Sequence, residues 1–208
     1  MATPRFIFGI ICLVVTIGNW LPDRHLLAGK FTGLLGSLGV VEVKVGAAEL
    51  VSAEAVEAKR LLIIEIAQGQ VGVREFGGNN RGEQVSKYLA YTNLKQGQPW
   101  CAAFVSWVYG KAGYQRPISA WSPALFPKEN ITTLPKPADV FGIYFPKLKR
   151  IAHCGLIEKT KRDWVVTIEG NTNNAGSNDG DGVYRKWRHR KTIAVYSNWL
   201  KQEGGPDE

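Results

Sequence analysis

Apolar residues in the stretch QPWCAAFVSWVYGKAG, residues 98 to 113, run almost without a break: Ala102, Ala103, Phe104, Val105, Trp107, Val108 and Ala112. A helix that is apolar nearly all round is a buried one, and with Pro99 just ahead its first turn falls at Cys101. Upstream, Ala55, Val56, Lys59, Leu62, Ile63, Ile66 and Gln70 recur at helical spacing. They predict an amphipathic helix capped by Ser52 and ended by Gly69 and Gly72. Glycines and asparagines make VREFGGNNRG, residues 73 to 82, a loop, and EQVSKYLAYTNL after it a second short helix. Residues 114 to 137 are interrupted by Pro117, Pro123, Pro127, Pro135 and Pro137, which predicts an ordered loop or rim. Strands come next. ADVFGIYF, IAHCGLIEK and WVVTIEGN are rich in β-branched and aromatic residues, and the charged turn TKRD between the last two signals a hairpin. After the polar loop NTNNAGSNDGDG come an outer basic strand, GVYRKWRHRKT, and a closing strand or helical turn, TIAVYSNWL. Helices first and an antiparallel sheet afterwards make an α+β domain.

The N-terminus reads differently. Arg5 followed by FIFGIICLVVTIG, residues 6 to 18, has the charge and length of the hydrophobic region of a secretory signal and is short for a membrane span. Residues 1 to 48 are therefore read as leader and linker, and 49 to 208 as one folded domain, expected to be a monomer. Export to the periplasm, the cell envelope or the medium follows, with membrane contact only through an uncleaved N-terminal segment. The net charge of +8 suits anionic surroundings such as nucleic acid, acidic lipid or a wall polymer. Three cysteines, Cys12, Cys101 and Cys154, make no disulfide framework, and no CxxC pair points to zinc. NTNNAGSNDGDG offers oxygen donors, but Ala175 stands at a donor position and no glutamate closes the loop. No metal or cofactor is expected.

Candidate chemistry begins with Cys101 at a helix N-terminus, where unpaired N–H groups and the macrodipole favour a thiolate. The competing reading is an inert core cysteine. In IAHCGLIE the pleat sends His153, Gly155 and Ile157 to one face and Ala152, Cys154 and Leu156 to the other. On that reading Cys154 is a core residue that points away from His153. Val165, Thr167, Glu169 and Asn171 share a parity on the next strand, so Glu169 and Asn171 can project together at its end. A cysteine, a histidine and a carboxylate or amide in this order are the parts of a cysteine hydrolase. In the loop, Glu75 and Asn79 are candidate ligand contacts that turn chemistry explains equally well.

WCAAFVSWV, AHCGLIE and IEGN together closely resemble the CHAP domain, the cysteine- and histidine-dependent amidohydrolase and peptidase domain of the papain-like superfamily found in peptidoglycan hydrolases. The resemblance covers roughly residues 52 to 200. It implies a papain-like fold with N-terminal helices against an antiparallel sheet, Cys101 as nucleophile, His153 as general base, Glu169 as its orienting group and Asn171 as polar support or an oxyanion-side group. It implies peptidoglycan as partner and attack on either the bond from sugar lactyl to L-alanine or a peptide bond of the stem or cross-bridge. The chain departs from the pattern at Cys154, where a small aliphatic residue is usual, at Ala138, and at Trp100, where relatives carry glutamine. Gln98 is the nearest glutamine, and Gln98 and Trp100 become candidate substrate contacts. RKWRHRK fits an anionic wall, and equally an edge strand whose charges deter pairing. A non-catalytic wall-binding or scaffold protein of the same fold is the alternative. A nucleic-acid binder using RKWRHRK and KLKR is disfavoured by the leader and by the lack of an interleaved stacking platform.

Overall fold

The structure, a computed structural model, describes residues 47–176 and 179–200, with residues 47–52 as backbone only. Residues 1–46 of the expected leader and linker lie outside the described residues, and with them the signal-like stretch, Cys12 and any membrane contact.

Helix α1 (Ala47–Gln68) is already running at Ala47, because AAEL ahead of Ser52 consists of strong helix formers. Ser52 therefore lies inside the helix and does not cap it, a correction to the sequence expectation. Its buried stripe is Arg60, Ile63, Ile64 and Ala67, at i, i+3, i+4 and i+7, while Leu62 is exposed. Arg60 is a charged member of that stripe: its Nη1 donates to Asp139 Oδ1 at 2.8 Å and its Nη2 to Asn198 Oδ1 at 3.1 Å. One side chain thus ties α1 to the entry of the sheet and to the C-terminal end of the described chain.

Helix α2 (Glu83–Tyr91) and helix α3 (Cys101–Lys111) complete the helical layer, and Cys101 through Tyr109 are buried without exception. The sheet contains β1 (Val140–Phe145), β2 (Arg150–Lys161), β3 (Trp164–Thr172), β4 (Gly182–His189) and β5 (Val195–Ser197). All its pairings are antiparallel, in the order β4-β3-β2-β1-β5. The α+β class read from the sequence is what the chain forms. The basic strand lies at one edge, and TIAVYSNWL supplies the short strand at the other.

Between helices and sheet lies the main core, with Trp100, Phe104, Val108, Cys154, Leu156 and Ile168 among its members. Each large side chain there contributes about 1.5–3 kcal/mol by leaving water. The opposite face carries a smaller cluster of Phe141, Ile157, Val165 and Ile193. Gly170 sets how closely α3 lies on β3: a Cβ at that position would stand 2.7 Å from both Phe104 and Trp100. Only glycine permits that approach.

Candidate active site

Trp100 is the residue before α3, and its backbone N–H reaches Asn171 Oδ1 at 3.2 Å. The indole Nε1 donates to Glu75 Oε1 at 2.8 Å, and Glu75 Oε2 accepts the Asn80 N–H at 2.7 Å. Asn171 Nδ2 closes the cluster on Asn80 Oδ1 at 2.9 Å. These four side chains bolt the first turn of α3 to the end of β3 and to the 73–82 loop. Trp100 is fully buried and stacks on Tyr88 with ring centroids 5.4 Å apart, so its side chain is core rather than a substrate contact. Glu75 is likewise committed to holding that indole. The loop asparagine that matters structurally is Asn80, at φ 58° in the left-handed region asparagine tolerates. Asn79 beside it is exposed, and so is Gln98.

Asn171 does not project beside Glu169 as the alternating parity predicts. Between Glu169 and Thr172 the ladder with β4 slips, and Asn171 takes φ 54°. An extra residue in the strand breaks the pleat and turns its side chain toward the helix start. Asn171 is thus a positioning residue for α3.

Glu169 itself is fully buried, and His153 Nε2 lies 2.8 Å from its Oε2. Glu169 Oε2 accepts the Nε2–H bond, and the same imidazole interacts with the Cys101 thiol. On β2 the ladder with β1 also slips: Ile143 pairs with His153 but Tyr144 with Ile151, which leaves Ala152 as the extra residue. A bulge there re-aims the next side chain, a common device beside functional sites. This is why the simple pleat misleads. Cys154 does face the helical core with Leu156, yet the Cys101 sulfur interacts with both neighbours, Cys154 as well as His153.

Two further groups escaped the sequence reading. Ser122, at the start of a short helical turn in the proline-rich loop, has its Oγ 3.4 Å from Cys101 Sγ. Arg188, from the basic strand, donates Nε to Glu169 Oε1 at 2.5 Å and Nη2 to Oε2 at 2.6 Å, and Thr167 Oγ1 donates to Oε1 at 2.5 Å. Pairing parity could have found Arg188, had the β3–β4 register been legible. Nothing in the sequence marks Ser122.

Electrostatics follow from these contacts. The Cys154 thiol, acting as donor, brings the Cys101 thiol well below its ordinary value; burial opposes this, and His153 and Ser122 add to the lowering. Cys154 is pushed well above, by burial first and then by Cys101. Burial would lower His153, but its bonds to Cys101 and Glu169 outweigh that and raise it to about 9. Glu169 is held at about 2, against its burial, by Arg188 and His153. These directions favour a thiolate at Cys101 beside an imidazolium at His153, with Glu169 ionised. Cys101 opens α3, whose first N–H groups receive no side-chain cap from Trp100. Cys101 is 6% exposed and the His153 side chain 12%. Among the described residues, no three His, Cys, Asp or Glu side chains gather as a metal ligand set.

Compared with known protein families, with curated proteins and with solved structures, the chain matches none.

Proposed function

We propose that the chain is a cysteine-dependent amide hydrolase of the CHAP type, papain-like in its catalytic arrangement and acting on peptidoglycan after export. The observation that carries the reading is the His153–Glu169 contact at 2.8 Å beside Cys101, with His153 helping to lower the thiol and the thiol helping to raise the imidazole.

In this reaction the Cys101 thiolate attacks the amide carbonyl carbon and forms a C–S bond. The N–H groups at the start of α3 take the developing oxyanion. The C–N bond breaks as His153 delivers its proton to the leaving amine, which needs an imidazolium, the form its raised pKa keeps at neutral pH. His153 then takes a proton from water, hydroxide attacks the thioester, and the carboxylic acid leaves with the thiolate restored. Glu169 holds the ring by Nε2 throughout. The signal-like N-terminus and the positive net charge support an anionic substrate outside the cytoplasmic membrane.

Mass spectrometry of soluble fragments from purified peptidoglycan tests this reading. The wild-type protein releases free stem peptides if it cuts next to the lactyl group, or shortened stems if it cuts within the peptide; the Cys101→Ala variant releases neither. Equal release by the variant, or none by the wild type, contradicts the proposal.

A further inference from the structure

Only Arg188 of RKWRHRK enters the site; a second feature of that strand lies elsewhere. Trp187 and Trp164 are 55% and 45% exposed, two large indoles left in water. Register places them together. Lys161 pairs with Trp164, Trp164 with His189, and Val166 with Trp187, so Lys161, Trp164, His189 and Trp187 share one face of three adjacent strands. Trp164 meets His189 edge to face with centroids 5.1 Å apart, and Lys161 Nζ lies 5.9 Å above the Trp187 ring. Lys161, Trp164 and Trp187, with Arg162 and Asp163 of the hairpin turn, line an open trough of about 570 Å³. That volume suits a small ligand or a few units of a polymer.

The chemistry of the lining narrows the occupant. An indole face is electron-rich and attracts polarised C–H groups on the flat side of a sugar ring. No salt bridge among the described residues engages Lys161, Arg162 or Asp163, so their charges are available to a ligand. Lys161 and Arg162 complement an anion, while Asp163 accepts hydroxyl protons and repels a dense run of phosphates. Sugar rings that carry both hydroxyls and carboxylates fit all three demands. Trp164 lies five residues before Glu169 on β3, roughly 16 Å along the strand. None of Cys101, His153 and Glu169 lines the trough, which is therefore separate from the thiol.

The geometry points to an accessory binding site for an acidic glycan, with a sugar ring on Trp187 or Trp164, its carboxylate on Lys161 and Arg162, and a hydroxyl on Asp163. This inference does not depend on hydrolysis. Calorimetric titration of the full chain carrying Cys101→Ala tests it, with a short oligogalacturonate as probe. A neutral chitooligosaccharide, a single-stranded oligonucleotide and phosphatidylglycerol vesicles serve as comparisons. Saturable binding of the oligogalacturonate is expected, weakened about tenfold by Trp187→Ala and by Lys161→Glu in variants whose thermal melts match the parent. Absent saturable heat, affinity unchanged in both variants, equal affinity for the neutral sugar, or tighter binding of oligonucleotide or vesicles would overturn the assignment.

Discussion

Arg188 grips Glu169 by both carboxylate oxygens, Nε on Oε1 at 2.5 Å and Nη2 on Oε2 at 2.6 Å, sharing Oε2 with His153. A carboxylate with no exposed surface cannot stay ionised on the strength of one imidazole, and the planar guanidinium supplies the second partner in matching geometry. Arg188→Met leaves a buried charge half compensated. Urea unfolding is expected to show a loss of about 3–5 kcal/mol, with Arg188→Lys intermediate because an ammonium cannot form the fork. A loss below about 1 kcal/mol would show that solvent, not Arg188, balances the carboxylate.

Linkage fixes the pH range in which the site supports the fold. Glu169 drops from 4.5 to about 2, so its contribution is complete above pH 4.5 and disappears as pH falls through about 2. His153 rises from 6.5 to about 9, so its contribution is complete below pH 6.5 and disappears as pH rises through about 9. Thermal melts are expected to show the combined support of Glu169 and His153 in full between pH 4.5 and 6.5. Glu169→Gln is expected to flatten the acid side of that profile. An unchanged acid side in the variant would place the acid sensitivity elsewhere.

Cys154 acts on the Cys101 thiol through its proton. Cys154→Val keeps the volume of the core nearly constant and removes the donor, so stability is expected to change by less than about 1.5 kcal/mol. The pH at which Cys101 becomes reactive moves up toward that of an ordinary thiol, because the largest lowering influence is gone. Rates of alkylation at acidic pH, followed by intact-mass analysis, measure the shift. A superimposable rate profile for the variant would show that His153 and Ser122 alone set the thiol.

Gly170 separates Glu169 from Asn171 and admits the rings of Phe104 and Trp100 at 2.7 Å from where a Cβ would stand. Gly170→Ala forces α3 off the sheet at the end that carries Cys101. Overpacking of this kind costs about 1–3 kcal/mol, and alkylation of Cys101 is expected to slow in parallel. Full stability in the variant would mean that the helix is free to shift without penalty.

The period of the apolar residues marked α3, and TKRD with its flanking β-branched runs marked the β2–β3 hairpin; both depend only on neighbours in sequence. The placement of His153 on the face of Glu169 was not legible from the hairpin turn alone, because the β2–β3 ladder slips between Ile157 and Lys159 and the extra residue, Glu158, resets which side chains share a face. What was hidden depends on ladder slips. An extra residue at Ala152 lets both His153 and Cys154 serve the thiol, and another at the end of β3 turns Asn171 to the helix start. Neither leaves a mark in the alternation of residue types. Arg188 was read as a wall contact or an edge charge because the β3–β4 register, across the polar loop, decides which basic residue turns inward. Trp100 suggests a substrate contact because it stands where many relatives carry glutamine, whereas Tyr88 and Glu75, distant in sequence, claim its ring.

The central claim is that Cys101 exists as a thiolate paired with the His153 imidazolium. It is tested most directly by the pH dependence of iodoacetamide alkylation, with the adduct located by peptide mass spectrometry. The account predicts an adduct on Cys101 whose rate holds well below pH of about 8.5, where an ordinary thiol loses its reactivity, and which loses that acid reactivity in His153→Ala. A rate that rises only around pH 8.5, the same in wild type and His153→Ala, would contradict it.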